Sequence, residues 1–97
     1  MEINELTKIL HQNAVDHGWW KDSRTVPELL CLIHSEISEA LEGYRNNDWG
    51  NIKEELADAI IRILDFCGAY EIDIEHEILR KHQKNIERPY RHGDKRL

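Results

Sequence analysis

The sequence predicts an all-α fold, a bundle of four helices within one domain spanning residues 1–97. Three observations lead there. Apolar residues recur at spacings of three and four through most of the chain, and no stretch alternates as a strand does. Helix-start chemistry precedes the apolar runs, and Gly or Pro stands near their ends. Hydrophobic residues make up 40% of the chain with only 2 Pro and 5 Gly, which excludes collagen, low-complexity linker and simple disorder.

The first helix is expected from about Glu2 to His17, with Ile3, Leu6, Leu10 and Ala14 on one face and Gly18 as its stop. A loop, GWWKDSRT, follows. The second helix opens on a capping box, Thr25 with Glu28, and holds Pro27 in its first turn, where a missing N–H costs nothing. Leu29 or Leu30, Ile33, Ile37, Leu41 and Tyr44 mark its buried stripe, and Gly43, Asn46 and Asn47 end it. The third helix starts at Asn51, or at Asp48 if its first turn is longer. Its wide apolar set is Ile52, Leu56, Ala59, Ile60, Ile63, Leu64 and Cys67, so it should be the most buried, with Gly68 as its stop. The fourth runs from Asp73 through Ile74, Ile78, Leu79, His82 and Ile86 to just before Pro89.

Net charge is -6, unevenly spread. Residues 1–79 hold 17 acids and 6 bases, whereas residues 80–97 hold 7 bases against Glu87 and Asp94. An acidic body repels a nucleic-acid polymer over most of its surface, so no such partner is expected. A small polyanion held between a metal and the basic tail fits the asymmetry better. No apolar run approaches the ~20 residues of a membrane span, and the acidic, amphipathic start is not a signal peptide. Cys31 and Cys67 sit in helical apolar patterns too far apart for a zinc pair, and read as buried thiols in a reducing cytoplasm. So short a chain buries a modest core, which favours association with a second copy.

Four carboxylates carry the chemistry. Glu36 and Glu39 stand three apart on the second helix, and Glu55 and Asp58 stand three apart on the third. Residues at that spacing share a helix face, and a short loop makes the two helices antiparallel neighbours. Both pairs flank buried stripes. Four such groups at close range repel unless a cation sits among them, and all-oxygen ligation suits Mg²⁺, Mn²⁺ or Ca²⁺ rather than zinc. A di-iron centre would need Glu-x-x-His, which is absent; the nearest pattern, Asp73-x-x-His76, is on another helix. No glycine-rich phosphate loop and no Ser/His/Asp or Cys/His arrangement is recognisable.

SEISEALE followed by EELADAIIRILD resembles the MazG-like all-α nucleoside triphosphate pyrophosphatases. The paired signature reads Glu36-x-x-Glu39, fifteen intervening residues, then Glu55-x-x-Asp58. HGWWKDSR and the tail KNIERPYRHGDKR resemble short phage- and mobile-element-type members, so the likeness covers nearly the whole chain. One departure is Ser35 where many members carry a second acid before Glu36; Glu54 keeps the double acid in the second motif. The resemblance implies Mg²⁺, with Mn²⁺ as a substitute, held by Glu36, Glu39, Glu55 and Asp58. It implies hydrolysis of an NTP or dNTP to the monophosphate and pyrophosphate, with one carboxylate, Glu39 or Glu36, taking the proton from water. It also implies a homodimer or a dimer of dimers, with sites near the interface.

Around this centre, Trp19 and Trp20 can stack a base or plug the loop, and Lys21, Arg24 and His17 lie beside them. Trp49 reads as packing, and His11 and His34 as structural. Lys81, Asn85 and Arg88 share a face of the last helix, with Tyr90, Arg91, His92 and Lys95 beyond; the resemblance singles out Lys81 and Asn85 as phosphate donors. Arg91 and His92 can instead serve a subunit interface. Arg62, four after Asp58, is expected to be its ion-pair partner. Two rival functions are a phosphoribosyl-ATP pyrophosphatase-like enzyme and a non-catalytic Mg²⁺-binding helical oligomerisation module.

Overall fold

The ends of each helix follow from cap chemistry. The computed structural model describes residues 1–89, which form α1 (Ile3–Asp16), α2 (Val26–Arg45), α3 (Trp49–Ala69) and α4 (Ile74–Glu87), with a 3₁₀ turn at Trp19–Lys21 and no strand. Thr25 caps α2 by accepting the Glu28 N–H at 3.2 Å, and Asp73 caps α4 by accepting the His76 N–H at 3.0 Å. For α3 the earlier start is correct. Asp48 accepts the Asn51 N–H at 3.0 Å, which frees the Asn51 amide to donate to the Glu39 carbonyl of α2 at 3.2 Å.

The helix stops match expectation only in part, with Asn46 as the C-cap of α2 as expected. Gly18 does take the left-handed conformation after α1, at φ 82°. Gly43 and Gly68, however, lie inside their helices. After α2 and α3 the left-handed positions are Asn47, expected among the stops, and Glu71, both at φ 53°. Asp48 N–H returns to the Gly43 carbonyl at 2.7 Å and Ile72 N–H to the Cys67 carbonyl at 2.9 Å, closing a Schellman turn at each end. Gly68 serves packing instead, because a methyl group there would lie 2.6 Å from His11 Cβ on α1.

The antiparallel hairpin of α2 and α3 forms the largest contact, and α1 lies along α3. The fourth helix does not complete a bundle with them; its substantial contact is with α1. Polar bonds hold it there. Asn4 donates to Asp73 Oδ1 at 2.8 Å, and Glu75 accepts the otherwise unbonded Ile3 N–H at the start of α1 at 3.1 Å.

Burial matches the expected stripes only in part: Leu29, Ala59, Leu64 and Cys67 are buried as expected, but most of the larger apolar positions are not. The faces that α2 and α3 bury carry Leu29, Glu36, Ala40 and Gly43, and Glu55, Ala59, Leu64, Asp65 and Cys67. The expected core residues Leu30, Ile37, Leu41 and Tyr44 of α2 are exposed, as are Leu56, Ile60 and Ile63 of α3. Trp49, expected to pack, joins that exposed row, and Cys31, expected to be buried, is also on the surface. The offset between the buried and apolar rows is one residue, about 100° around a helix. Small residues let the helices close on one face, and the larger apolar face is left uncovered.

The close crossing at Gly68 predicts the effect of filling it. Gly68→Ala gains up to ~1 kcal/mol of helix propensity but overpacks against His11, at a cost of about 1–3 kcal/mol. A net loss of about 1–2 kcal/mol in urea unfolding is expected, and a stabilised variant would contradict this packing account.

Candidate functional site

The α2–α3 hairpin brings three carboxylates together across its seam. One oxygen each from Glu36, Glu39 and Glu55 lies within 4.8 Å of the others, with Glu36 and Glu55 buried and Glu39 exposed. Asp58, one turn beyond Glu55 and half-buried, is not among the three. Arg62 does not pair with Asp58 as expected. Its Nε donates to Glu36 Oε1 at 2.9 Å, across the seam. A guanidinium four residues along the same helix can bond an Asp, but here the more deeply buried carboxylate on the facing helix takes it.

The three groups respond differently to being crowded. Glu39 and then Glu36, each within hydrogen-bonding reach, together with burial, push the Glu55 carboxyl up to about 8. Burial alone would raise Glu36, but the Arg62 hydrogen bond, with those from Glu55 and Glu39, outweighs it and holds Glu36 below its ordinary value. Like charges this close cannot all stay ionised, so a proton belongs to the cluster and rests mainly on Glu55.

Glu55 Oε2 is enclosed and has no hydrogen-bond partner among the described residues. A buried acceptor left unpaired is costly, and a proton shared with its neighbours or a cation would satisfy it. The donor set is all oxygen and anionic, as a hard divalent cation prefers. In an octahedral Mg²⁺ shell neighbouring ligand oxygens lie ~3 Å apart and opposite ones ~4.2 Å, so the three oxygens, now within 4.8 Å, would draw together by side-chain rotation to ligate it. Mn²⁺ fits the same donors.

The 3₁₀ turn packs against this hairpin. Arg24 lies over the Trp19 ring, its Cζ 3.8 Å from the centroid, and the Arg62 guanidinium is 5.2 Å from the same centroid. Trp20 Nε1 donates to Asp65 at 3.0 Å, and His11 Nδ1 lies 2.8 Å from the same carboxylate. The buried Asp65 therefore ties α1, α3 and the turn together, a role missed in the sequence. Its signal was an acid inside the apolar run IRILDFC. Trp19, Trp20, Leu29, Arg62, Asp65 and Phe66 enclose a cavity of only about 10 Å³, room for one water and not for a base.

The remaining candidates are dispersed. Lys21 is exposed at the end of the turn. His17 caps α1, donating to the Asn13 carbonyl at 2.8 Å. His11 holds Asp65, and His34 is exposed. Lys81 and Asn85 line an open groove on α4 with Ile74, Glu77, Ile78 and His82, on the helix that rests on α1. Arg88 is the C-cap of α4, and Tyr90 lies outside the described residues.

An all-helical chain with facing carboxylates on an antiparallel hairpin thus offers a centre suited to a hard cation. A family model, the MazG nucleotide pyrophosphohydrolase domain, matches residues 24–92, well over half of the chain. The chain belongs to the MazG nucleotide pyrophosphohydrolase family. The matched span takes in α2, α3 and α4, while α1 and the Trp19–Trp20 pair precede it. No curated protein and no solved structure was found to match.

The raised Glu55 carboxyl predicts a pH dependence of stability. Its folded value of about 8 lies above the ordinary 4.5, so the folded state holds the proton more tightly. The resulting stabilisation is complete below 4.5 and is lost as pH rises through about 8. In EDTA, the melting temperature of the wild type should fall across this window more steeply than that of Glu55→Gln. Parallel profiles would contradict the shared proton.

Proposed function

We propose that this protein hydrolyses a nucleoside or deoxynucleoside triphosphate to the monophosphate and pyrophosphate, clearing unwanted nucleotides from the cytoplasmic pool. The observation that carries this reading is the unpaired, buried Glu55 oxygen within a three-carboxylate set. Membership of the MazG family supplies the substrate class.

Glu36, Glu39 and Glu55 would hold Mg²⁺, or Mn²⁺ in its place, with Asp58 one turn away as the fourth carboxylate. When bound, the cation would neutralise phosphate charge and acidify a water. Glu39, the exposed member, is the carboxylate best placed to accept a proton from that water. Trp19, Trp20, Lys21 and Arg24 form the base side of the pocket. Lys81, Asn85, Arg88 and Tyr90 supply donors to the outer phosphates, which an acidic centre cannot bind unaided.

The same reading includes a second copy. The row Leu30, Ile37, Leu41 and Tyr44 on α2 and the row Trp49, Leu56, Ile60 and Ile63 on α3 are exposed together on the hairpin that carries the site. Large apolar patches mark interaction surfaces, and a match of two such hairpins would bury both. The Cα radius of gyration, 16.0 Å, exceeds the ~13 Å of a compact chain of this length, as fits a protomer shaped to pack on another. Among the described residues no helix is long and apolar enough to cross a membrane.

Two measurements test this. Pyrophosphate release over a panel of nucleotides should require Mg²⁺ and stop with EDTA, and Glu39→Gln should lower kcat/KM about a hundredfold or more, since a cation ligand carries several kcal/mol of transition-state stabilisation. Phosphorus NMR showing inorganic phosphate as the first product would overturn the reaction assigned. For the partner surface, light scattering should give the wild type at least twice its 11.5 kDa chain mass. Ile60→Asp should return it to the mass of a single chain, and a monomeric wild type would refute the self-association.

A further inference from the structure

Arg62 stands between the two halves of the site. Its Nε is bonded to Glu36 Oε1 at 2.9 Å, and its guanidinium carbon is 5.2 Å from the centre of the Trp19 ring. Its side chain is 32% exposed, whereas that of Glu36 is 9% exposed, so the guanidinium is the outer lid on a buried carboxylate. Arg24 lies over the same Trp19 ring at 3.8 Å. One aromatic ring is therefore shared by two guanidinium groups, one of which is also the counter-ion of the carboxylate cluster.

We infer that Arg62 is a positioning residue that couples cation occupancy at Glu36, Glu39 and Glu55 to which guanidinium packs on the Trp19 ring. The inference rests on the metal reading of those carboxylates. A divalent cation among them would compete with Arg62 for Glu36 and repel its guanidinium at short range. The nearest favourable surface left to that group is the Trp19 π face. Arg24 already lies against that ring, and two like charges cannot share it closely, so Arg24 is driven off. A guanidinium on an indole is a contact that a stacking base would have to replace, and the neighbouring cavity of about 10 Å³ admits no base. Cation loading thus exchanges the guanidinium that holds the aromatic turn beside the carboxylates. A lysine cannot replace Arg62 in this role: it can pair with Glu36, but it has no planar group to lay against an indole.

The test is Mg²⁺ titration of nucleotide-free protein, read by calorimetry for binding and by tryptophan emission for the turn. Wild type and Trp49→Phe should both show an emission change that saturates with calorimetric binding, and Trp19→Phe should lose it. Arg62→Lys should bind Mg²⁺ with less than a tenfold change in affinity, the charge on Glu36 being kept, yet show no emission change. Arg24→Gln, which removes the displaced group, should likewise bind Mg²⁺ with a diminished emission change, and it serves if Arg62→Lys does not fold by circular dichroism. A wild-type emission response in folded Arg62→Lys, or in Arg24→Gln if Arg62→Lys does not fold, would overturn the coupling, as would Mg²⁺ binding to the wild type with no emission change. No calorimetric binding to the wild type would instead overturn the metal reading on which the coupling stands.

Discussion

Three carboxylates in one helix seam are the constraint around which the rest of this chain is arranged. Glu36, Glu39 and Glu55 approach within 4.8 Å because the seam is lined by Ala40, Gly43 and Ala59, residues too small to hold the helices apart. Larger side chains there would relieve the repulsion and abolish the site. Instead each acid is accommodated separately: Glu39 by exposure, Glu36 by the Arg62 guanidinium, and Glu55 by keeping its proton. A seam given over to charge and small residues buries little apolar surface. Leu29 and Leu64 are the only large aliphatic side chains buried among the described residues, so most of the large apolar residues lie on an adjacent face. The uncovered face and the acidic seam are two consequences of one choice of side-chain size.

Much of the fold could be read from residues that act locally. Thr25 and Asp73 cap as their positions require, and the four helices appear near their expected limits. The carboxylate spacing could be read for the same reason, since residues three apart on a helix share a face whatever surrounds it. What could not be read depended on which surface covers which. Periodicity locates an apolar stripe but not its partner, so Ile37, Leu41 and Ile60 looked like core and are exposed in the single chain. Gly68 looked like a stop because glycine favours left-handed turns, whereas Glu71 takes that turn and Gly68 lets His11 approach. Arg62 looked bound to Asp58 because sequence shows neighbours along a helix and not those across a seam; its partner is 26 residues away.

The aromatic turn shows the same limit at the site. Base stacking and loop packing are both open to adjacent tryptophans, and nothing local separates them. In the structure both side chains are engaged within the chain, Trp20 by Asp65 and Trp19 by Arg24 and Arg62. Asp65 went unnoticed because a lone acid in an apolar helix declares its burial only when its donors, from α1 and the turn, are known. Packing and binding need not be alternatives here, because the contacts holding the turn are polar and directional and can be exchanged for equivalent contacts with a ligand.

That distinction separates the chain into two mechanical classes. The α2–α3 hairpin is held by close backbone approach at Gly43 and by buried contacts, and it fixes the carboxylates. The turn and α4, which carry the aromatic and basic candidates, are attached by hydrogen bonds, exposed ones at α4 (Asn4 to Asp73, Ile3 N–H to Glu75) and a part-buried one at the turn (Trp20 to Asp65). Exposed polar contacts contribute little net stability each and open locally at low cost, whereas close-packed helices do not. An ion centre requires oxygens held to within a fraction of an ångström, while a base and a chain of phosphates must enter and leave. Rigid carboxylates beside loosely tethered aromatic and basic groups satisfy both requirements within one short chain.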